Sequence, residues 1–159
     1  MGPNCTCVLS SARILDTARA LGLTQLPAQE DAALLGATGV GVRVTPREVA
    51  ELLRAIAVGQ RAGGVPGQAF LPRLRDALAL GVQQGTAQGA ADRAVPAAGK
   101  TGTAVVGAGK VGWFAGFAPA GAPTLIVVVA RRELRGGEVA GAAAGLLRAY
   151  FHGGPGDSA

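Results

Sequence analysis

Hydrophobic positions follow two different periods along the chain. In three segments before about residue 90, apolar side chains recur every three or four positions, which is the period of an α-helix. From Gly99 the apolar residues come in short runs broken by glycine and proline, which is typical of strands joined by tight turns. After Gly137 the helical period returns. The pattern therefore predicts helices, then strands, then one more helix.

Three helices are predicted before the strands. The first begins at Ser10 or Ser11 and runs to about Leu21, and the third begins near Pro72. The second has the clearest local signal, in the segment TPRE at residues 45–48, because threonine at the N-cap, proline at the first turn and glutamate at the third position form a capping box. Residues 24–44 are predicted to be loop.

The strand region predicts a three-stranded antiparallel meander. Its strands are KTGTAVV, VGWFAGFA and TLIVVVAR, and the turns between them are GAGK and PAGAP. A final helix, EVAGAAAGLLRAYF, follows and is predicted to pack on the sheet. Helices that precede and follow an antiparallel sheet indicate the α+β class.

Composition agrees with one globular unit and excludes several functions. The 159 residues are 49% hydrophobic and 16% charged, which is too apolar for a disordered chain. The net charge of +5 comes mainly from arginines that are evenly spread without interleaved aromatics, so no nucleic-acid partner is expected. Cys5, Cys7 and the single His152 are too few for zinc, and we expect no metal.

A membrane span is not predicted. The stretch Val111–Ala130 carries no charge over twenty residues, but Pro119 and Pro123 interrupt it, and two strands around a turn fit it better. The first twenty residues lack the basic and apolar regions of a secretory signal.

One glycine motif suggests a nucleotide cofactor. Gly107, Gly109 and Gly112 match G-x-G-x-x-G, and Glu133 lies where an acid could bind a ribose, so an NAD(P)-binding domain is an alternative. The motif requires a helix that starts near its last glycine, but Pro119 soon follows. We therefore rank this interpretation below the next one and expect no cofactor.

A second motif, KTGT at residues 100–103, opens a predicted strand. The Lys100 ammonium group and the hydroxyls of Thr101 and Thr103 are groups that can hold a carboxylate. Gly102 has no side chain, so a ligand can approach the strand closely. The triplet K-T-G is one of three motifs of the penicillin-recognising serine acyltransferases.

Further segments carry a resemblance to that group. AGKTGTA and GWFAGFAPAGAPTLIVVVA, together with the upstream GVRVTPREVAELLRAIAVG and GVQQGTAQGA, resemble the C-terminal half of the transpeptidase domain of penicillin-binding proteins, over about residues 34–151. The resemblance implies a β-lactamase/transpeptidase-like fold. We expect a partial domain over residues 1–152 and a disordered tail at 153–159.

The resemblance also implies a site. Lys100, Thr101, Gly102 and Thr103 would bind the carboxylate of a D-Ala-D-Ala stem peptide of peptidoglycan or of a β-lactam. The Thr103 backbone N–H would be an oxyanion-hole donor. Asn4 is a candidate for the asparagine of a degenerate S-x-N motif, whose serine is missing here.

The family's nucleophile motif, S-x-x-K, is missing from this sequence. None of the serines, Ser10, Ser11 and Ser158, is followed by lysine three residues later; after Ser10 that position holds Arg13, which stays charged and cannot act as a base. We therefore expect this chain alone to be inactive as an acyltransferase. It is either a truncated or split transpeptidase, whose partner would be the N-terminal half, or a non-catalytic relative that binds a peptide or a partner.

Two further expectations come from the family. Its members cross-link peptidoglycan on the outer face of the cytoplasmic membrane, and we place this chain there, in the periplasm or cell wall space. In the family, the strand that corresponds to Thr124–Arg131 pairs with an N-terminal strand. Without that strand we expect an exposed apolar edge that promotes aggregation.

Overall fold

The structure is a computed structural model that describes residues 11–27, 41–59 and 68–153. In these ranges the helices are α1 (Ser11–Ala20), α2 (Pro46–Val58), α3 (Leu71–Gln84) and α4 (Gly136–His152). The strands are β1 (Ala98–Val106), β2 (Gly109–Ala118) and β3 (Leu125–Arg132). Short 3₁₀ turns lie at Gln68–Phe70 and Gln88–Ala90. The predicted α+β class is confirmed, whereas Asn4 and residues 154–159 of the expected tail lie outside the described ranges.

Helix α2 begins as its capping box predicts. The Thr45 backbone N–H donates to the Glu48 carboxylate at 2.8 Å, and the Glu48 N–H donates to the Thr45 hydroxyl at 3.2 Å. Gly59 ends the helix in the left-handed conformation, with φ 69°. The Glu48 carboxylate also accepts hydrogen bonds from the Thr24 N–H and hydroxyl, at 3.2 and 2.7 Å. One glutamate therefore caps α2 and holds the loop that follows α1.

The three strands form the predicted meander. The sheet order is β1-β2-β3, and both neighbouring pairs are antiparallel. Thr101 lies opposite Phe114, which in turn lies opposite Val129. Gly107, with φ 60°, supports the two-residue turn between β1 and β2. Among the described residues, the outer edge of β3 carries no further strand.

Helices cover both faces of the sheet. Alternate residues of β3 face opposite ways: Val127 packs in a core cluster with α4, and Ile126 and Val128 pack against a second cluster that includes Leu53 of α2. Because helices cover both faces, β3 is a continuous apolar run and does not alternate with polar residues. Phe114 and Phe117, each 1% exposed, supply the large side chains of the two clusters.

Helix α4 begins two residues before its predicted start at Glu138. Gly136 is the first helical residue, and it lies so close to β1 that a Cβ there would be 2.6 Å from the Gly102 carbonyl oxygen. Sequence periodicity places the start of this helix after Gly137, but glycine at position 136 is the residue that permits this contact.

None of the described helices has the length and apolarity needed to cross a bilayer.

Candidate active site

A groove of about 930 Å³ lies between β1 and the start of α4. It brings together the predicted residues of the KTGT segment. The segment after α3, strand β2 and the start of α4 complete its walls. The lining residues discussed below are Lys100, Thr101, Gly102, Thr103, Thr86, Lys110, Arg135, Gly136 and Glu138.

Thr101 is the buried polar residue of the groove. It is only 6% exposed, and its hydroxyl lies 2.5 Å from the hydroxyl of Thr86, which follows the end of α3. A buried hydroxyl needs a hydrogen-bond partner, and Thr86 supplies one. The pair therefore joins the K-T-G strand to the segment after α3.

Thr103 is held by the N-terminus of α4. The Gly136 backbone N–H donates to the Thr103 hydroxyl oxygen at 3.0 Å. The first N–H groups of a helix have no partner within the helix, so the threonine satisfies one of them. Because its oxygen accepts this bond, the hydroxyl proton of Thr103 is free to be donated to a ligand.

Positive charge surrounds these hydroxyls. The Lys100 ammonium group donates to the Thr101 carbonyl oxygen at 2.5 Å and lies on the exposed side of β1. Lys110 and Arg135 also line the groove. The Glu138 carboxylate is the acid in the lining, and it accepts a hydrogen bond from the Arg135 backbone N–H at 2.7 Å. Three cations against one carboxylate suit an anionic ligand.

Gly102 leaves an open space beside the strand. A Cβ at this position would meet only the Trp113 Cβ, at 3.9 Å, which is ordinary van der Waals contact. The fold therefore does not require glycine here. The space above its backbone is available to a ligand.

The loop that leads into β1 is fixed by Asp92. Its carboxylate accepts hydrogen bonds from the N–H groups of Ala94 at 2.8 Å and Val95 at 3.2 Å, and these bonds hold the pKa of Asp92 below its usual range. Arg148 and His152 of α4 lie 3.9 and 4.0 Å from the same carboxylate. The loop before β1 is thus tied to the end of α4.

The G-x-G-x-x-G motif has a different setting from that of a dinucleotide site. Gly107 lies in the β1–β2 turn, Gly109 and Gly112 lie within β2, and no helix begins at the last glycine. Glu133 follows β3 at φ 63°, where its N–H donates to the Lys110 carbonyl oxygen at 2.8 Å. The helix N-terminus that would receive a pyrophosphate is therefore not formed at this motif.

The described residues contain no cluster of three or more potential metal ligands.

Sequence reasoning did not single out Thr86, Arg135 or Gly136. Thr86 lies 15 residues from Thr101, and Gly136 lies 33 residues from Thr103, so local patterns could not reveal these contacts. The segment GVQQGTAQGA, which contains Thr86, was part of the family resemblance. That resemblance was the available signal for Thr86.

Comparison with known proteins agrees with the geometry. The family model described as penicillin binding protein transpeptidase domain matches residues 68–147, about half of the chain. A search of curated proteins found no match. Solved structures of D,D-transpeptidase domains share the fold.

Three of these structures show the extent of the likeness. The D,D-transpeptidase domain of a peptidoglycan glycosyltransferase from Eggerthella lenta has a TM-score of 0.74 and 21% identity, over 89% of this chain and 48% of that one. The transpeptidase domain of the FtsI4 D,D-transpeptidase from Legionella pneumophila has a TM-score of 0.72 and 21% identity, over 84% of this chain and 58% of that one. Penicillin-binding protein A from M. tuberculosis, as an imipenem acyl-enzyme complex, has a TM-score of 0.70 and 24% identity, over 87% of this chain and 42% of that one.

The fold and the groove define an α+β domain of the β-lactamase/transpeptidase-like type with K-T-G on an edge strand. The chain belongs to the family of penicillin-binding protein transpeptidase domains. It spans about half the length of the solved structures that it resembles.

Proposed function

We propose that the groove binds the C-terminal carboxylate of a D-Ala-D-Ala stem peptide, or the carboxylate of a β-lactam. The observation that carries this proposal is the convergence of Lys100, Thr101 and Thr103 on one groove, at the edge strand of the sheet. An ammonium group and two hydroxyls offer several charge-assisted hydrogen bonds to one carboxylate. In this proposal the chain supplies the carboxylate-binding part of a D,D-transpeptidase site.

The backbone of the same strand has a second proposed role. Since β1 pairs with a single neighbour among the described residues, part of its backbone N–H groups point away from β2. We propose that the Thr103 N–H is one of them and stabilises the oxyanion of a tetrahedral intermediate. Gly102, next to it, gives a substrate backbone room to approach.

The groove alone does not supply an acyl-transfer mechanism. The sequence contains no serine followed by lysine at the third position, so no activated nucleophile of the family's kind is present. We propose that a second segment, carrying S-x-x-K, provides the nucleophile when the chain acts in acyl transfer. Such a complex would work on peptidoglycan outside the cytoplasmic membrane, as the family does.

The missing motif also favours a second candidate, a non-catalytic module that binds a peptide carboxylate or a protein partner. Both candidates use the same groove, but only the first forms an ester with a serine. Fluorescent penicillin separates them. Labelling is tested on this chain alone and on a longer protein that includes the upstream coding sequence, and mass spectrometry locates any adduct.

The expected result is reversible binding without an adduct on this chain. An adduct in the longer protein alone supports a transpeptidase whose two parts act together, and the absence of adducts in both supports the binding module. Reversible binding is measured by NMR titration with N-acetyl-D-Ala-D-Ala and its C-terminal carboxamide. The proposal fails if the carboxylate form has no advantage, or if Lys100→Met leaves that advantage unchanged.

A further inference from the structure

The hydroxyl pair formed by Thr86 and Thr101 has a role that the binding of a carboxylate does not by itself explain. The two oxygens lie 2.5 Å apart, and either residue can be the donor. The residues differ in their surroundings, since Thr101 is 6% exposed whereas Thr86 lies on the surface. The buried Thr101 hydroxyl is the one that depends on this contact.

Two hydroxyls that share one hydrogen bond have one proton left over. When Thr101 is the donor, its proton points at Thr86 and the groove is presented with an oxygen lone pair. When Thr86 is the donor, the Thr101 proton is free to point into the groove. A ligand carboxylate accepts hydrogen bonds and donates none, so it stabilises only the second arrangement.

We infer that Thr86 is a positioning residue that donates to Thr101 and thereby directs the Thr101 hydroxyl proton at the ligand carboxylate. This inference rests on the proposed function of the groove. The Thr103 hydroxyl is oriented in the same sense, because its oxygen accepts the Gly136 N–H at 3.0 Å. Each threonine of the K-T-G-T segment thus has its own internal donor, a side chain for one and a helix N-terminus for the other.

The inference is tested with Thr86→Val, Thr86→Ser and the control Thr17→Val. Valine keeps the shape of threonine and removes the hydroxyl, whereas serine keeps the hydroxyl. Thr17 is a matched control because its hydroxyl donates to the Arg13 carbonyl oxygen at 2.7 Å within α1 and does not line the groove. Thermal unfolding of each variant shows that the fold is retained.

The first measurement needs no ligand. Three-bond couplings from the Thr101 hydroxyl proton to Hβ and to the methyl carbon, measured at low temperature where exchange of this buried hydroxyl is slow, report the direction of the O–H bond. We expect one direction, away from Thr86, in the wild-type protein, in Thr86→Ser and in Thr17→Val, and averaging between directions in Thr86→Val. A wild-type O–H bond that points at Thr86, or a single unchanged direction in Thr86→Val, overturns the inference, whatever the groove binds.

The second measurement compares N-acetyl-D-Ala-D-Ala with its carboxamide. We expect Thr86→Val to weaken the carboxylate form about tenfold, to leave the carboxamide form nearly unchanged, and to be rescued by serine. Equal loss for both ligands means that Thr86 only supports the fold, and this overturns the inference. If the wild-type protein does not prefer the carboxylate, the proposed function fails, while the hydroxyl-proton measurement still decides whether Thr86 orients the Thr101 hydroxyl.

Discussion

The backbone N–H of Gly136 donates to the hydroxyl of Thr103 across 3.0 Å, and this bond joins the first residue of α4 to the K-T-G strand. The approach is close enough that a Cβ on Gly136 would lie 2.6 Å from the Gly102 carbonyl oxygen and 2.8 Å from the Thr101 Cβ. The wall of the groove and the packing of α4 on β1 therefore depend on the same glycine.

Gly136→Ala is expected to destabilise the protein. The added methyl group must move the start of α4 away from the β1 backbone, and overpacking of this kind costs about 1–3 kcal/mol. The measurement is urea unfolding followed by circular dichroism. Gly141→Ala is the matched control, because Gly141 lies in the same helix with nothing within 4 Å of its added Cβ.

Gly136→Ala and Gly141→Ala should change the free energy of unfolding in opposite directions. In the exposed helix interior, Gly141→Ala is expected to stabilise the protein by about 0.5–1 kcal/mol. Equal unfolding midpoints for Gly136→Ala and the wild-type protein would contradict the close approach of α4 to β1.

Gly102→Ala is expected to weaken peptide binding without destabilising the fold. Its Cβ would meet only Trp113 at 3.9 Å, so the unfolding midpoint should change little. The same methyl group would project beside the ligand, and we expect binding of N-acetyl-D-Ala-D-Ala to weaken about tenfold or more. NMR titration measures this loss.

A control for Gly102→Ala is Gly121→Ala in the β2–β3 turn, where an added Cβ meets nothing within 4 Å and no lining residue of the groove is altered. This variant should bind the peptide as the wild-type protein does. Unchanged peptide affinity in Gly102→Ala would mean that the ligand does not approach the strand at Gly102.

The parts of the fold that sequence could predict are local ones. The capping box of Thr45 and Glu48 spans three residues, and the meander follows from apolar runs separated by short turns. The hydrogen bond between Thr24 and Glu48 spans 24 residues, and the contact between Thr86 and Thr101 spans 15. Such contacts depend on how the elements pack, and no periodicity encodes them.

The candidate site also has a local part, which the sequence could predict, and a part made by long-range contacts, which it could not. Lys100, Thr101, Gly102 and Thr103 form one short motif, and it was the resemblance of this and neighbouring segments to the family that proposed them together. Two walls of the groove come from the segment after α3 and from the start of α4, which meet β1 only in the folded chain. The start of α4 was misjudged because helix propensity disfavours Gly136, whereas the contact with β1 requires it.

Glu48 makes stability depend on pH in the acid range. The backbone N–H of Thr45 and the hydroxyl of Thr24 are the main donors that lower the pKa of Glu48 to about 2, from its ordinary value of 4.5. A carboxyl whose pKa is depressed by folding stabilises the fold in its charged form. That contribution is fully present above about pH 4.5 and is lost as the pH falls toward 2.

Glu48→Gln should therefore lower the thermal unfolding midpoint at pH 7. Between pH 5 and pH 2, the window that the pKa of Glu48 sets, the midpoint of this variant should fall less steeply than that of the wild-type protein. Glu51→Gln is the control in the same helix, since Glu51 makes an exposed ion pair with Arg54 at 3.3 Å. If both variants keep the same pH dependence as the wild-type protein, Glu48 does not carry this effect.

The outer edge of β3 is expected to cause self-association. Among the described residues β3 pairs only with β2, and its run LIVVVA presents unpaired backbone groups beside apolar side chains. Ala130→Lys places a charge near the end of this edge, on a half-buried residue outside the core clusters. Sedimentation velocity over a concentration series should show self-association of the wild-type chain and less of it in Ala130→Lys. Ala142→Lys adds the same charge on the exposed side of α4, and it should associate as the wild-type chain does, because net charge alone does not block strand pairing.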